Sequence, residues 1–157
     1  MKSNYERLIA LADEVFAVRK DPEQLDVNEE VMEKLHTIHP ATLSDKNLGE
    51  GPILWILLIP TTTSLMNQFL TGEINEKQLY ELTEPGQSYE AIYLCSALVL
   101  EEYRNKGYAK EVTLHAINEI QKDHSIKALF YWPFTEGGEA AAKSIANSIG
   151  LPLYERK

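Results

Sequence analysis

The chain has 157 residues, enough for one hydrophobic core and too short for two ample ones, so a single domain over 1–157 is expected. At 44% hydrophobic and 25% charged it falls with folded globular proteins, not disordered ones. A formal net charge of −9 disfavours nucleic acid and anionic membrane as partners, but salt screens charge beyond roughly 8 Å, so a local anion site remains open.

In chain order, Ser3 and Glu6 make a capping-box pair, and Tyr5, Leu8, Ile9, Ala12, Val15 and Phe16 then recur on one helical face. Asp13 and Glu14 interrupt this early apolar stretch, so no signal peptide is read there. Asp21-Pro22 should end the helix. A second helix is expected from Asp26, turning Val31, Leu35 and Ile38 inward and stopping at His39-Pro40. Residues 53–59 are a continuous apolar run between Pro52 and Pro60. That is strand length, covered on both faces, and far short of the ~20 residues of a membrane span. A threonine at 61–63 caps a helix burying Leu65, Met66, Phe69 and Leu70; Asn75 and Gln78 open another, with Leu79 and Leu82 inside. The N-terminal half is thus helix-rich, and the expected location is cytoplasmic.

The second half reads differently. Residues 91–100 form a long buried strand, 101–107 a polar loop, 108–122 a helix with Ala109, Val112, Ala116 and Ile120 on one face, and 126–132 another apolar strand. An alanine-rich helix follows from about Gly138 to Ile149, then a short strand at 151–154. Strand, helix and strand with a short return make a βαβ unit with parallel strands.

The loop carries the chemistry. A helix's first turn leaves about four amide N–H groups without internal partners. Here they lie at the C-terminal edge of a parallel strand, where open α/β sheets bind ligands. Gly107 removes a Cβ from their approach and Ala109 nearly does so; Arg104, Lys106 and Lys110 add positive charge. These features describe a pyrophosphate cradle. The spacing is neither that of a P-loop nor that of a dinucleotide fingerprint.

Long strand, Arg104-x-x-Gly107-x-Ala109 and helix together resemble motif A of the GNAT superfamily of N-acetyltransferases, and 126–151 resembles its motif B region. The resemblance covers roughly residues 91–154. It implies an α/β (α+β) fold: a mixed sheet flanked by helices, with a splayed parallel strand pair at its centre. It implies acetyl-CoA as acyl donor and an amine of a small molecule or protein as acceptor. Leu98, Val99 and Leu100 would pair with the pantetheine amides, and the N–H groups of Asn105, Lys106, Gly107, Tyr108, Ala109 and Lys110, beside Arg104, would hold the pyrophosphate. A backbone N–H near Cys95 or Ala97 would polarise the thioester carbonyl. Homodimers are frequent in the family.

The chain also departs from that pattern. Aligned on Gly150, the family's tyrosine acid falls on Ala146, with Ile145, Ser148 and Leu151 at neighbouring motif positions and Glu139 where an asparagine often stands. Substitute acids are Ser144, Tyr131 and Tyr154; candidate bases are Glu90, Glu101 and Glu102, each of which also reads as a solvated charge. Cys95 reads as a nucleophile or as a buried structural thiol, and, as the one cysteine, it allows no internal disulfide. His36, His39, His115 and His124 do not space as a metal set. Trp132-Pro133-Phe134 lines an acceptor pocket or packs on a helix. After the strand at 53–59 the family pattern calls for a hairpin partner; either a strand is disguised there or helices replace it. An acyl-CoA sensor without turnover, and an α/β interaction domain without cofactor, are the competing readings.

Overall fold

Local signals set many of the element boundaries. The structure, a computed structural model, describes residues 3–19, 29–133 and 136–156. Helix α1 (Asn4–Arg19) opens where the Ser3 hydroxyl accepts the Glu6 N–H, and α2 (Glu29–Ile38) buries Val31, Leu35 and Ile38. Asp21-Pro22 and Asp26, expected to end α1 and open α2, lie outside the described residues. His39 then caps a short 3₁₀ turn (Pro40–Thr42), leading into β1 (Leu43–Asn47) and β2 (Pro52–Thr61). Thr62 caps α3 (Thr63–Leu70), and Asn75 and Gln78 form a full capping box on α4 (Glu76–Leu82). After β3 (Ala91–Val99) come α5 (Tyr108–Asp123), β4 (Ala128–Tyr131), α6 (Glu136–Ile149) and β5 (Leu153–Glu155).

The fold is α+β, with a five-stranded mixed sheet in the order β1-β2-β3-β4-β5. The β1/β2 and β2/β3 pairs are antiparallel; β3/β4 and β4/β5 are parallel. Tyr93 pairs with Ile59, so Trp55, Leu57 and Ile59 share Tyr93's face by alternation. Tyr5 of α1 packs edge-on against Trp55 and Phe69 of α3 against Tyr93, which puts both helices on that face. Leu54, Ile56 and Leu58 on the other face are just as buried, and α5 crosses β1, β2 and β3 there. The apolar run of β2 is therefore central, as its composition required.

Three expectations are corrected. The hairpin lies before β2, not after it: β1 has one apolar residue in five and follows no alternating pattern, because it is an edge strand. Helices α3 and α4 occupy the connection from β2 to β3. Leu82, the last residue of α4, is exposed, as are Tyr5 and Ile9 of α1. The long strand is fully buried only over Ala91–Tyr93.

The N-terminal ends of β3 and β4 are closed by polar side chains. The Ala41 N–H donates to His39 Nδ1, so His39 carries its proton on Nε2 and donates it to Asp123 Oδ2 at 2.7 Å. His124, whose ring lies 6.1 Å from that of His39, accepts the Tyr89 N–H on Nδ1. Burial, and then the neighbouring His39, hold the His124 pKa below its ordinary 6.5, against the pull of Asp123. The unfolded chain thus takes up a proton at a pH where the folded one does not. This contribution to stability is complete above pH 6.5 and is lost as pH falls from there through the folded-state value. Urea melts at pH 7.5 and 5.5 should show lower stability at the acid value, and a smaller difference in His124→Asn. An equal difference in the variant would contradict this.

Candidate functional site

The parallel pairing of β3 with β4 is short. It covers Ala91/Ala128, Ile92/Leu129 and Tyr93/Phe130, after which β3 runs on to Val99 with no β4 partner. β4 itself ends at Tyr131, which leaves a fork beside β3 from Leu94 to Val99. Two residues past the last shared rung β3 bulges: Leu57 faces Ser96 while Leu58 faces Leu94, so Cys95 is the extra residue. The bulge reverses which backbone groups face which neighbour. The Leu100 N–H donates to Ile53 O, which sets the phase of the ladder. Ser96, Leu98 and Leu100 turn their peptide groups toward β2, and Ala97 and Val99 turn theirs toward the open edge.

This corrects the expected pairing residues. Leu98 and Leu100 face β2, and Leu100 also accepts the Tyr103 N–H, so neither offers an amide to a ligand in the fork. Val99 and Ala97 are the residues whose peptide groups face the fork. The Val99 carbonyl accepts from Arg104 Nε at 3.0 Å, which folds the arginine back over the strand end.

The loop beyond is built around two left-handed residues, Asn105 (φ 62°) and Gly107 (φ 82°), flanking Lys106. Asparagine tolerates this region and glycine is at home in it. Alternating hand along a backbone points successive N–H groups to one side, the geometry of an anion nest. Gly107 precedes α5 with no side-chain cap, and among the described residues the N–H groups of Asn105 to Lys110 have no acceptor. Nothing lies within 4 Å of where a Gly107 Cβ would stand, so the approach is open. Tyr108 and Ala109 are half-buried at the first turn of α5.

Two cations that sequence reading missed arrive from distant elements. Lys46 of β1 pairs with Glu111 at 3.0 Å and lies 5.4 Å from the centre of the Tyr108 ring. Arg7 of α1 pairs with Glu102 at 2.6 Å. With Arg104, Lys106 and Lys110 these make five basic side chains around the loop, against the three acidic ones of Glu101, Glu102 and Glu111. The neighbourhood is positive although the chain is acidic. Lys46 and Arg7 lie 65 and 95 residues from their partners, and no local motif marks them.

The Arg7 hydrogen bond holds the Glu102 carboxyl at about 2, below its ordinary 4.5. Arg7→Ala should return it toward 4.5, read by carboxyl-resolved NMR titration. A midpoint still near 2 would show that Arg7 is not the cause.

The remaining candidates scatter. Glu90 lies at the far end of β3, where its carbonyl accepts the Lys127 N–H, roughly 17 Å of strand from Cys95. Glu101 and Glu102 are exposed beside the nest. Cys95 is half-buried at the bulge, not fully enclosed. Tyr154 is exposed on β5, in register with Phe130 and, through it, with Tyr93. That puts it two strands over, about 10 Å from β3. Ala146 is core, Tyr131 is buried with its phenol pushed up by desolvation, and Ser144 is half-buried on α6. Trp132 stacks on Arg156 at 4.6 Å, and Phe134 lies outside the described residues. Among the described residues no group of three or more His, Cys, Asp or Glu side chains is placed to hold a metal, and no helix is long and apolar enough to cross a membrane.

No protein-family model matches the chain, and no curated protein matches it.

Proposed function

We propose that the chain binds an acyl-coenzyme A in the β3/β4 fork and transfers its acyl group to an amine, as an N-acyltransferase of GNAT type. The observation that carries this reading is the joint presence, at one end of the sheet, of an open strand edge and a nest of unbonded amides. An acyl-pantetheine arm is a short run of amides and fits the open edge as an added strand, meeting Ala97 and Val99. The diphosphate at its other end would then meet the N–H groups of Asn105 to Lys110 in the positive field of Arg104, Lys106, Lys110 and Lys46.

Past the bulge at Cys95 the first N–H on the open edge is that of Ala97, and placed against the thioester carbonyl it would stabilise the oxygen that gains charge. A neutral amine forms the new C–N bond, the C–S bond breaks, and the amine's surplus proton passes to a carboxylate or water. A thiol with pKa near 8.5 is an adequate leaving group without a dedicated acid. Ala146, buried where the family pattern has tyrosine, is consistent with that and also favours a second reading, a module that binds acyl-CoA without turning it over.

Isothermal titration with acetyl-CoA tests the reading, and a saturable exothermic or endothermic binding curve is expected. No heat and no thermal shift at millimolar ligand would overturn it. Binding without transfer to any member of a broad amine panel would favour the second reading.

A further inference from the structure

A buried hydrogen bond lies at the last rung that β3 shares with β4. Tyr93 is the last β3 residue paired with β4 and stands two residues before the bulge. Its side chain is 1% exposed, and its hydroxyl donates to Glu76 Oε2 at 2.6 Å. Glu76 is itself 2% exposed and is the first residue of α4, whose start is fixed by the Asn75/Gln78 capping box. The carboxylate thus sits at a positive helix end on a backbone with little freedom.

The surroundings lock the same point from other directions. The Tyr93 ring packs on Phe69 and Phe130, with centroids 4.9 and 5.2 Å away. Arg156, just past β5, lies 4.8 Å from the centre of the Phe69 ring and donates from Nε and Nη2 to the carbonyls of Phe69 and Ile74. Its own N–H donates to Tyr131 O. Elements α3, α4, β3, β4 and the chain after β5 therefore converge on the last rung before the fork.

A strand that loses its neighbour also loses the hydrogen bonds that fix its height and twist. Past Tyr93, β3 pairs with β2 alone among the strands, and the bulge interrupts that ladder too. Burying a carboxylate is a poor way to gain stability, because apolar packing of the same volume does as well or better. What a buried hydrogen bond supplies is a defined position. We propose that Glu76 and Tyr93 are positioning residues that fix the bulge at Cys95, and with it the Ala97 N–H that would meet the acyl carbonyl. This rests on the acyl-CoA reading above.

The prediction separates two ends of one ligand. Wild-type protein should bind acetyl-CoA more tightly than free CoA, which lacks the carbonyl, by about tenfold for one hydrogen bond. Tyr93→Phe keeps the ring and removes the donor; Glu76→Met keeps the volume and removes the acceptor. Each should reduce the preference toward onefold while leaving free-CoA affinity within about twofold, since the nest lies elsewhere. Glu76→Gln retains an acceptor for Tyr93 and should keep the preference. Titration of both ligands into these four proteins, with folding checked by circular dichroism, decides the matter. If Tyr93→Phe does not fold, Glu76→Met carries the test. Equal wild-type affinities for the two ligands, variants that keep the preference, or variants that weaken both ligands alike would each overturn the proposal. Wild-type protein that binds neither ligand would instead overturn the acyl-CoA reading itself.

Discussion

Gly107→Glu is expected to leave the protein folded and to weaken acetyl-CoA binding by about a hundredfold or more. The substituted Cβ meets nothing within 4 Å, so no clash opposes it. Its backbone cost is that of a side chain at φ 82°, roughly 1–2 kcal/mol, within the margin of an ordinary domain. The new carboxylate would stand among the N–H groups of Asn105 to Lys110, where the diphosphate must lie. Placing like charges together costs several kcal/mol, and each 1.4 kcal/mol is tenfold in affinity. Gly107→Ala carries the same backbone strain without the charge. It should lose the same stability in a urea melt and much less affinity in a titration. Equal affinity for Gly107→Glu and wild type would remove the nest from the binding site.

Phe69→Ala is expected to cost about 3–5 kcal/mol of stability, the largest effect of any single truncation considered in this protein. Phe69 is fully buried and contacts the rings of Tyr93, Phe130 and Trp132, and its other side carries the Arg156 guanidinium. Removing it opens a cavity that these rigid neighbours cannot fill by relaxing. It also leaves Arg156 with one fewer aromatic surface, although its bonds to backbone carbonyls survive. A chemical denaturation series should show a lower midpoint at unchanged slope, and melting should fall by roughly 6–20 °C. A loss under about 1 kcal/mol would mean that this cluster is not the hub the contacts describe.

How much of this could be read from the residues alone depends on how local each cause is. The caps at Ser3, Thr62 and Asn75 are short-range, and each was readable three residues at a time. The run at 53–59 was legible as a doubly covered strand because every residue in it but the half-buried Trp55 is buried. Gly107 stood out as a residue without a Cβ just before a helix, and the structure adds that it is left-handed. Strand β1 was not legible: Ser44, Asp45, Lys46 and Asn47 sit at a sheet edge, where pairing comes from the backbone and the side chains need not be apolar. The bulge at Cys95 left no mark in composition, since it depends on how β2 and β3 align, and it turns the peptide groups of Leu98 and Leu100 toward β2 and that of Ala97 toward the open edge. Nothing in the sequence singles out Glu76, and only the tertiary structure shows it buried against Tyr93. Arg7 and Lys46 are in the same position, as charges whose partners are set by tertiary structure.

The most direct test is to add CoA to isotopically labelled protein and follow the backbone amide resonances. The account predicts that the largest shifts fall on Asn105 to Lys110 and on Cys95 to Val99, while amides near His39 and His124 stay still. Shifts confined elsewhere, or none at millimolar CoA, would contradict it.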